Sequence, residues 1–312
     1  MSFPERPQPE TGEVLLLRTC YEGDTEQWGG LLDEIGGRRE GDVLVVGDRV
    51  RLRPIEDSRW DSLRGGNVPA LVADGGPVAV LVDLPAVYGD GPLLVDLAAT
   101  PGRGVRGPSA RLGEILAALL DGTLEFDHLV RDMDVYGMYQ GDGGRPAFPT
   151  PAAVPYRSFP ALPTGELLVR TCFDDEEGWR DLLDELGGAD EQGWVGADLD
   201  PDDIDVDHYP LTASVVDDRA FEGLLPGQVP ALVPPGTDNP TLVVLADART
   251  FAEPGRPLTV VDLYDTPGHV AVLPCRMVGS MAANLEIANM DFHEFVAVED
   301  TEPWWQSSPS HP

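Results

Sequence analysis

Residues 11–37 read TGEVLLLRTCYEGDTEQWGGLLDEIGG, and residues 164–188 read TGELLVRTCFDDEEGWRDLLDELGG. The two stretches are one text written twice, and the match resumes downstream, where Val68-Pro69-Ala70-Leu71-Val72 answers Val229-Pro230-Ala231-Leu232-Val233. A tandem duplication follows, with copies over 11–137 and 161–299. Units of this length are globular domains, because solenoid repeats run about 20–50 residues. Each copy opens on a short apolar run, Val14 to Leu17 or Leu167 to Val169, that reads as a buried strand. A helix follows: Trp28, Leu31, Leu32 and Ile35 form one stripe, as do Trp179, Leu182, Leu183 and Leu186. Gly36-Gly37 and Gly187-Gly188 supply the left-handed stop. Capping boxes are expected from Asp24 with Gln27 and from Asp174 with Glu177.

Working outward, strands are expected over 43–46, 50–55, 78–82 and 93–95 in copy one, with a short helix over 58–64. In copy two they are expected over 209–216, 242–245 and 258–261. The middles of the copies read as divergent. A longer helix closes each copy, with Leu112, Ile115, Leu116, Leu119 and Leu120 on one apolar face and Met277, Met281, Leu285 and Ala288 on the other. A last short helix follows, opened in copy two by a capping box of Asp291 with Glu294. The fold class is α+β, two tandem mixed-sheet domains. Residues 1–10 read as a loose N-terminus, 138–160 as a linker, and 300–312, with Trp304-Trp305, as a tail.

Charge is the extreme property of the chain. Its 312 residues carry 55 Asp and Glu against 21 Lys and Arg, a formal net charge of −34, and every one of the basic residues is arginine. Phosphate neutralisation needs a basic face, so direct nucleic-acid binding is not expected, and an anionic membrane surface would repel the chain. Solubility is the simplest reading of such a charge, and a cationic protein is the partner it favours. Cys20, Cys172 and Cys275 do not make a disulfide framework. No basic segment followed by an apolar run stands near the N-terminus, and no stretch reaches membrane-spanning length. A cytoplasmic protein is expected.

The strand end Val169-Arg170-Thr171, the acidic helix start with Trp179, and the block from Asn284 to Phe295 (NLEIANMDFHEF) together resemble an uncharacterised domain family of high-GC Gram-positive bacteria. The resemblance spans most of copy two and the first third of copy one. Copy one departs from it, with Thr123-Leu124-Glu125-Phe126 where copy two has Asn289-Met290-Asp291-Phe292, and reads as the degenerate partner. The resemblance implies no reaction, cofactor or partner.

Arg18 and Arg170 end the first strand of each copy. Asp83 and Asp96, and in copy two Asp247 and Asp262, end later strands. If those strands are parallel neighbours, one arginine and two carboxylates meet at one sheet edge, where open α/β sheets bind ligands. The candidate ligand cluster is Arg170, Asp247 and Asp262, joined by Asn284, Asn289 and Asp291, with Arg18, Asp83 and Asp96 as its repeat equivalents. A buried structural ion network is the preferred reading and a polar pocket, for an anion or a divalent cation, the alternative.

Cys20 and Cys172 follow a strand and precede a helix, where a thiol can be activated, but no histidine recurs beside them. Gly102, Gly104 and Gly107 spell G-x-G-x-x-G late in the domain. The duplicate keeps only Gly268, so a glycine-rich loop is the better reading than a dinucleotide fingerprint. The acidic run Asp198 to Asp207 begins like a calcium loop and then fails at its sixth and twelfth positions. No G-x-S-x-G, H-E-x-x-H or C-x-x-C occurs, and without lysine no Walker loop can form. The expectation is a non-enzymatic binding protein without a cofactor, an immunity- or inhibitor-like partner of a basic protein. The alternative is a small-ligand or divalent-metal binder, or an enzyme, working through the Arg/Asp cluster.

Overall fold

The computed structural model describes residues 3–4, 9–10, 12–22, 25–47, 49–71, 76–141, 158–196, 209–235, 240–298, 301 and 303. The Asp198–Asp207 run, the Asp24 cap and Trp304-Trp305 lie outside the described residues. Copy one contains β1 (Glu13–Arg18), α1 (Thr25–Ile35), β2 (Arg38–Glu40), β3 (Val43–Val46), β4 (Val50–Ile55), β5 (Val78–Val82), α2 (Leu84–Tyr88), β6 (Leu93–Asp96), β7 (Gly104–Arg106), α3 (Leu112–Asp121) and α4 (Phe126–Arg131). Copy two contains β8 (Leu167–Arg170), α5 (Glu176–Glu185), β9 (Trp194–Val195), β10 (Ala213–Val216), β11 (Leu242–Ala246), α6 (Ala248–Ala252), β12 (Pro257–Asp262), β13 (Val270–Pro274) and α7 (Cys275–Glu286). A short 3-10 turn, Phe292–Phe295, closes it.

The sheets run β2-β3-β4-β1-β5-β6-β7 and β13-β12-β11-β8-β10-β9. They are the same sheet: β1 lies parallel between β4 and β5, and β8 lies parallel between β10 and β11. The outer strands β3, β6 and β7, like β9, β12 and β13, run antiparallel to their neighbours. A central strand covered on both faces needs an unbroken apolar run, and β1 and β8 are buried throughout. The outermost strand of the first sheet, β2, is Arg-Arg-Glu and exposed, which discourages pairing with another chain.

Alternation divides each strand between two cores. Val14 and Leu16 face the helices with Trp28, while Leu15 and Leu17 pack with Trp60, Leu63 and Val68 on the other face. In copy two Leu168 joins Trp179, and Leu167 and Val169 join Phe221, Leu224 and Val229. Trp28 and Trp179 thus occupy like surroundings, 4% and 3% exposed. Full burial of one such side chain is worth about 1.5–3 kcal/mol or more. The helix-side cores of the two copies join into one cluster.

Three sequence expectations change. The middles of the copies do correspond: Asp57 and Asp218 each cap a 3-10 turn, at Ser58–Trp60 and Arg219–Phe221, and Trp60 and Phe221 fill the same core place. The cap of α5 is Asp175, whose carboxylate accepts from the Gly178 amide at 2.8 Å, one residue later than expected. The G-x-G-x-x-G stretch is a turn leading into β7, and its glycines serve packing. A Cβ on Gly102 would stand 3.0 Å from the Ala231 nitrogen, and one on Gly104 would stand 2.8 Å from Leu93 and 3.0 Å from Pro267.

Ala231 and Pro267 belong to the other copy, because the copies pack directly on each other. The Val-Pro-Ala-Leu segments meet, the Gly104 amide donates to the Pro267 carbonyl at 2.7 Å, and Asn67 Nδ2 donates to the Val233 carbonyl at 3.2 Å. Gly66 lies so close that a Cβ would stand 2.5 Å from the Pro230 oxygen. No helix among the described residues is long and apolar enough to cross a membrane.

Candidate functional site

The carboxyl ends of β8, β10 and β11 form the point where the chain order switches direction, and Arg170 stands there 1% exposed. Its Nε donates to the Cys172 carbonyl at 3.1 Å. Its outer nitrogens are held by Glu176, the first residue of α5, with Nη2 to Oε1 at 2.9 Å and Nη1 to Oε2 at 3.3 Å. Asp217, just past β10, accepts from Nη1 at 3.3 Å and from the Trp179 indole N–H at 3.1 Å. The guanidinium also lies over the rings of Phe173 (4.5 Å) and Trp179 (5.2 Å), the cation–π geometry arginine favours. The hydrogen bonds from Arg170 hold the Glu176 carboxyl below the usual carboxylate range. This cradle is closed by its own residues.

Copy one repeats the cradle with fewer partners. Arg18 Nε donates to the Cys20 carbonyl at 3.1 Å, and the guanidinium lies over Tyr21 (4.6 Å) and Trp28 (5.9 Å). Its one carboxylate among the described residues is Glu56, at 4.0 Å. The Trp28 indole nitrogen is buried without a hydrogen-bond partner among the described residues.

Asp247 shares the edge of Arg170 but caps α6, accepting from the Arg249 amide (2.9 Å) and from the Thr259 hydroxyl (2.7 Å). Asp83 likewise caps α2 and pairs with the buried Arg106 at 2.9 and 3.0 Å. Asp96 and Asp262 correct the expectation of one cluster. Strands β6 and β12 run antiparallel, so Asp96 stands opposite Val78 and Asp262 opposite Leu242, at the far edge of each sheet. Each carboxylate pins the loop that follows, taking the amides of Ala98, Ala99 and Thr100 or of Tyr264, Asp265 and Thr266.

At that far edge the copies differ in charge. Arg103 bridges Asp96 (3.5 Å) and Asp127 over the Phe126 ring. The same places in copy two hold His269 and His293, with His269 against Phe292 at 5.5 Å. Burial, then the charge of Asp265, raises Asp262 to about 7, and burial, then the charge of His293, lowers His269 to about 3. Asp262 and Asp291 line one cavity of about 80 Å³ there. Asn284 and Asn289 do not join it: Asn289 Nδ2 donates to Asn284 Oδ1 at 2.6 Å, finishing α7. The candidate cluster therefore falls into separate places, with only Arg170 and Asp247 at one edge and only Asp262 and Asp291 at the other.

The thiols are poorly placed for nucleophilic work, which needs the thiolate. Burial raises Cys20, and burial together with a 3.1 Å bond to Glu185 pushes Cys275 up to about 12. Among the described residues no group of three His, Cys, Asp or Glu side chains could hold a metal ion.

A groove of about 610 Å³ lies between α5 and α6. Asp175, Glu177, Asp181, Glu185 and Glu253 line it, against the single arginine Arg256. Arg256 is itself paired with Asp181 (3.1 Å) and Glu185. Asp217, which helps to close the cradle, carried a signal in the repeat: Glu56-Asp57 and Asp217-Asp218 stand at equal places after the third common strand. The divergent lengths around them hid it.

No curated protein matches this chain, and no solved structure does. The model of one family, the domain of unknown function DUF6924, matches residues 13–142 and again residues 165–307. The chain therefore belongs to that family and carries its domain twice over.

Proposed function

We propose that this protein is a non-catalytic binding protein whose acidic groove between α5 and α6 receives a basic protein. The observation that supports this reading is the groove itself, with five carboxylates against an arginine already paired. Asp181 and Glu185 are exposed along α5, and Phe251 adds an apolar floor on which an arginine or lysine stem can lie. A formal charge of −34 steers a cationic partner toward the chain and raises the encounter rate. The alternative of a ligand pocket around Arg170 loses support, because Glu176, Asp217 and Cys172 take up that side chain's donors.

A short lysine- and arginine-rich peptide titrated into the isotope-labelled chain tests the reading. Resonances of α5 and α6 are expected to shift first, and the combined change Glu177→Gln, Asp181→Asn and Glu253→Gln to weaken binding about tenfold or more. Shifts spread evenly over both copies, or equal affinity in the triple variant, would contradict it.

A further inference from the structure

The sheet of copy one is finished by the chain that follows α4. Beyond Arg131 the backbone turns back, and Met138 pairs in parallel with Arg106 on the outer side of β7. The Arg106 amide donates to the Gly137 carbonyl at 2.8 Å, and the Tyr139 amide donates to the Arg106 carbonyl at 2.9 Å. The Asp134 carboxylate holds the turn, accepting from the amides of Tyr136 and Met138 at 3.0 Å and from Gln140 Nε2 at 2.6 Å. Strand β7 is buried throughout, and Tyr139 is 8% exposed. In copy two the corresponding strand is β13, outermost in its sheet among the described residues. Its register is that of β7: the Asp262 amide donates to the His269 carbonyl as the Asp96 amide does to that of Arg103. Backbone groups alternate in direction along a strand, so Val272 holds the place of Arg106 and turns its amide and carbonyl outward. Yet Val270 and Val272, on this outer side, are only half-buried.

The sequence carries a counterpart for that outer side. Phe126 and Phe292 open the last helical turn of each copy. Counting on from them without a gap sets Met138-Tyr139-Gln140 against Trp304-Trp305-Gln306, and Asp134 against Asp300. Both matches to the family model run past these residues, ending at 142 and 307, so the segment belongs to the domain in both copies. We propose that the C-terminal segment 303–306 adds itself to the outer side of β13 as a parallel strand, with Trp304 and Trp305 where copy one has Met138 and Tyr139. The pairing needs two backbone bonds, from the Val272 amide to the Pro303 carbonyl and from the Trp305 amide to the Val272 carbonyl. Proline lacks only a donor that this pairing does not use. Pro303 does change the turn, because Gly137 has φ 75° and donates to the Asp134 carbonyl, and proline can do neither. Copy two turns earlier instead, with the Thr301 amide on the Val298 carbonyl at 3.1 Å. An open strand edge invites another chain, and two tryptophans bury more apolar surface over it than Met and Tyr do. The occupant of this edge is the chain's own end. The inference is separate from the acidic groove and does not depend on it.

Amide hydrogen exchange of the full chain tests this, with Arg106 as the internal reference for Val272. Both amides are expected to be protected in the parent chain. Trp304→Ser with Trp305→Ser should speed exchange at Val272 about tenfold or more and leave Arg106 unchanged. Slow exchange of Leu168, in the centre of the second sheet, reports that the variant keeps its fold. Trp304→Met with Trp305→Tyr, the pair found in copy one, should keep the protection of the parent. The proposal fails if Val272 exchanges freely in the parent chain. It fails equally if the protection of Val272 survives the double serine variant. Protection that then falls on dilution assigns the edge to a second copy of the chain, and protection that does not assigns it to another segment.

Discussion

Arg170 and Arg18 stand at the same corner of the same sheet, over the same pair of aromatic rings, each with Nε on the carbonyl two residues on. Among the described residues they differ in what meets their outer nitrogens: two carboxylates for Arg170, and for Arg18 a single one at 4.0 Å. The backbone and the rings therefore belong to the fold, and the carboxylates are the part that duplication left free to change. The far sheet edge teaches the same lesson with opposite chemistry. There copy one holds Asp96 with a permanent cation, and copy two keeps Asp262 beside a neutral histidine.

The largest expected difference comes from removing each arginine. Arg170→Ala should cost about 2–3 kcal/mol, because Glu176 and Asp217 lose a buried partner while remaining partly solvated. Arg18→Ala should cost about 1 kcal/mol, mainly lost packing. Chemical denaturation of both variants gives the comparison, and equal losses would break it.

Next comes the pH response of the far edge. Asp262 has a folded value of about 7 against the ordinary 3.8, so its contribution is full below about pH 4 and is lost as the pH rises to about 7. His269, at about 3 against 6.5, works in reverse: its contribution is present above pH 6.5 and is lost as the pH falls toward 3. The two slopes oppose each other over the same window. His269→Asn should leave a stability that falls as the pH rises from about 4 to 7, and Asp262→Asn one that rises. Denaturant midpoints across that range measure both, and two variants with parallel slopes would be at odds with the assignment.

Gly66→Ala should cost about 1–3 kcal/mol by pressing on the Pro230 carbonyl across the contact between copies. Its readout is a loss of cooperativity between the halves. Trp179→Phe and Trp28→Phe remove similar volume, but only the first strips Asp217 of a donor, so it should cost about 1 kcal/mol more. The smallest effect lies in α1, where Gly29-Gly30 replace Arg180-Asp181 and nothing stands within 4 Å of either missing Cβ. Gly30→Ala should stabilise the chain by about 0.5–1 kcal/mol, seen as a higher thermal midpoint.

Much of the fold was legible because the repeat doubled every signal. The strand of residues 14–17, the Trp28 and Trp179 stripes and the glycine stops all recur, and all stand where the pattern puts them. Strand direction was not legible. Short apolar runs such as 93–95 and 258–261 look alike whichever way they run, so Asp96 and Asp262 were grouped with an edge they do not share. Half of the cradle was legible too, since Arg18, Arg170 and the tryptophans recur. Glu176 was not, because a partner present in one copy only has no echo to mark it. Gly102 and Gly104 were visible but part of their reason, Ala231 and Pro267, lay in the other copy, a contact that no local spacing encodes.

A double variant, Glu176→Gln with Asp217→Asn, tests most directly whether carboxylates close the cradle of copy two, with the indole resonances followed alongside chemical denaturation. The Trp179 resonance is expected to shift and the chain to lose about 2 kcal/mol, while the Trp28 resonance stays. An unmoved Trp179 resonance with unchanged stability contradicts the claim.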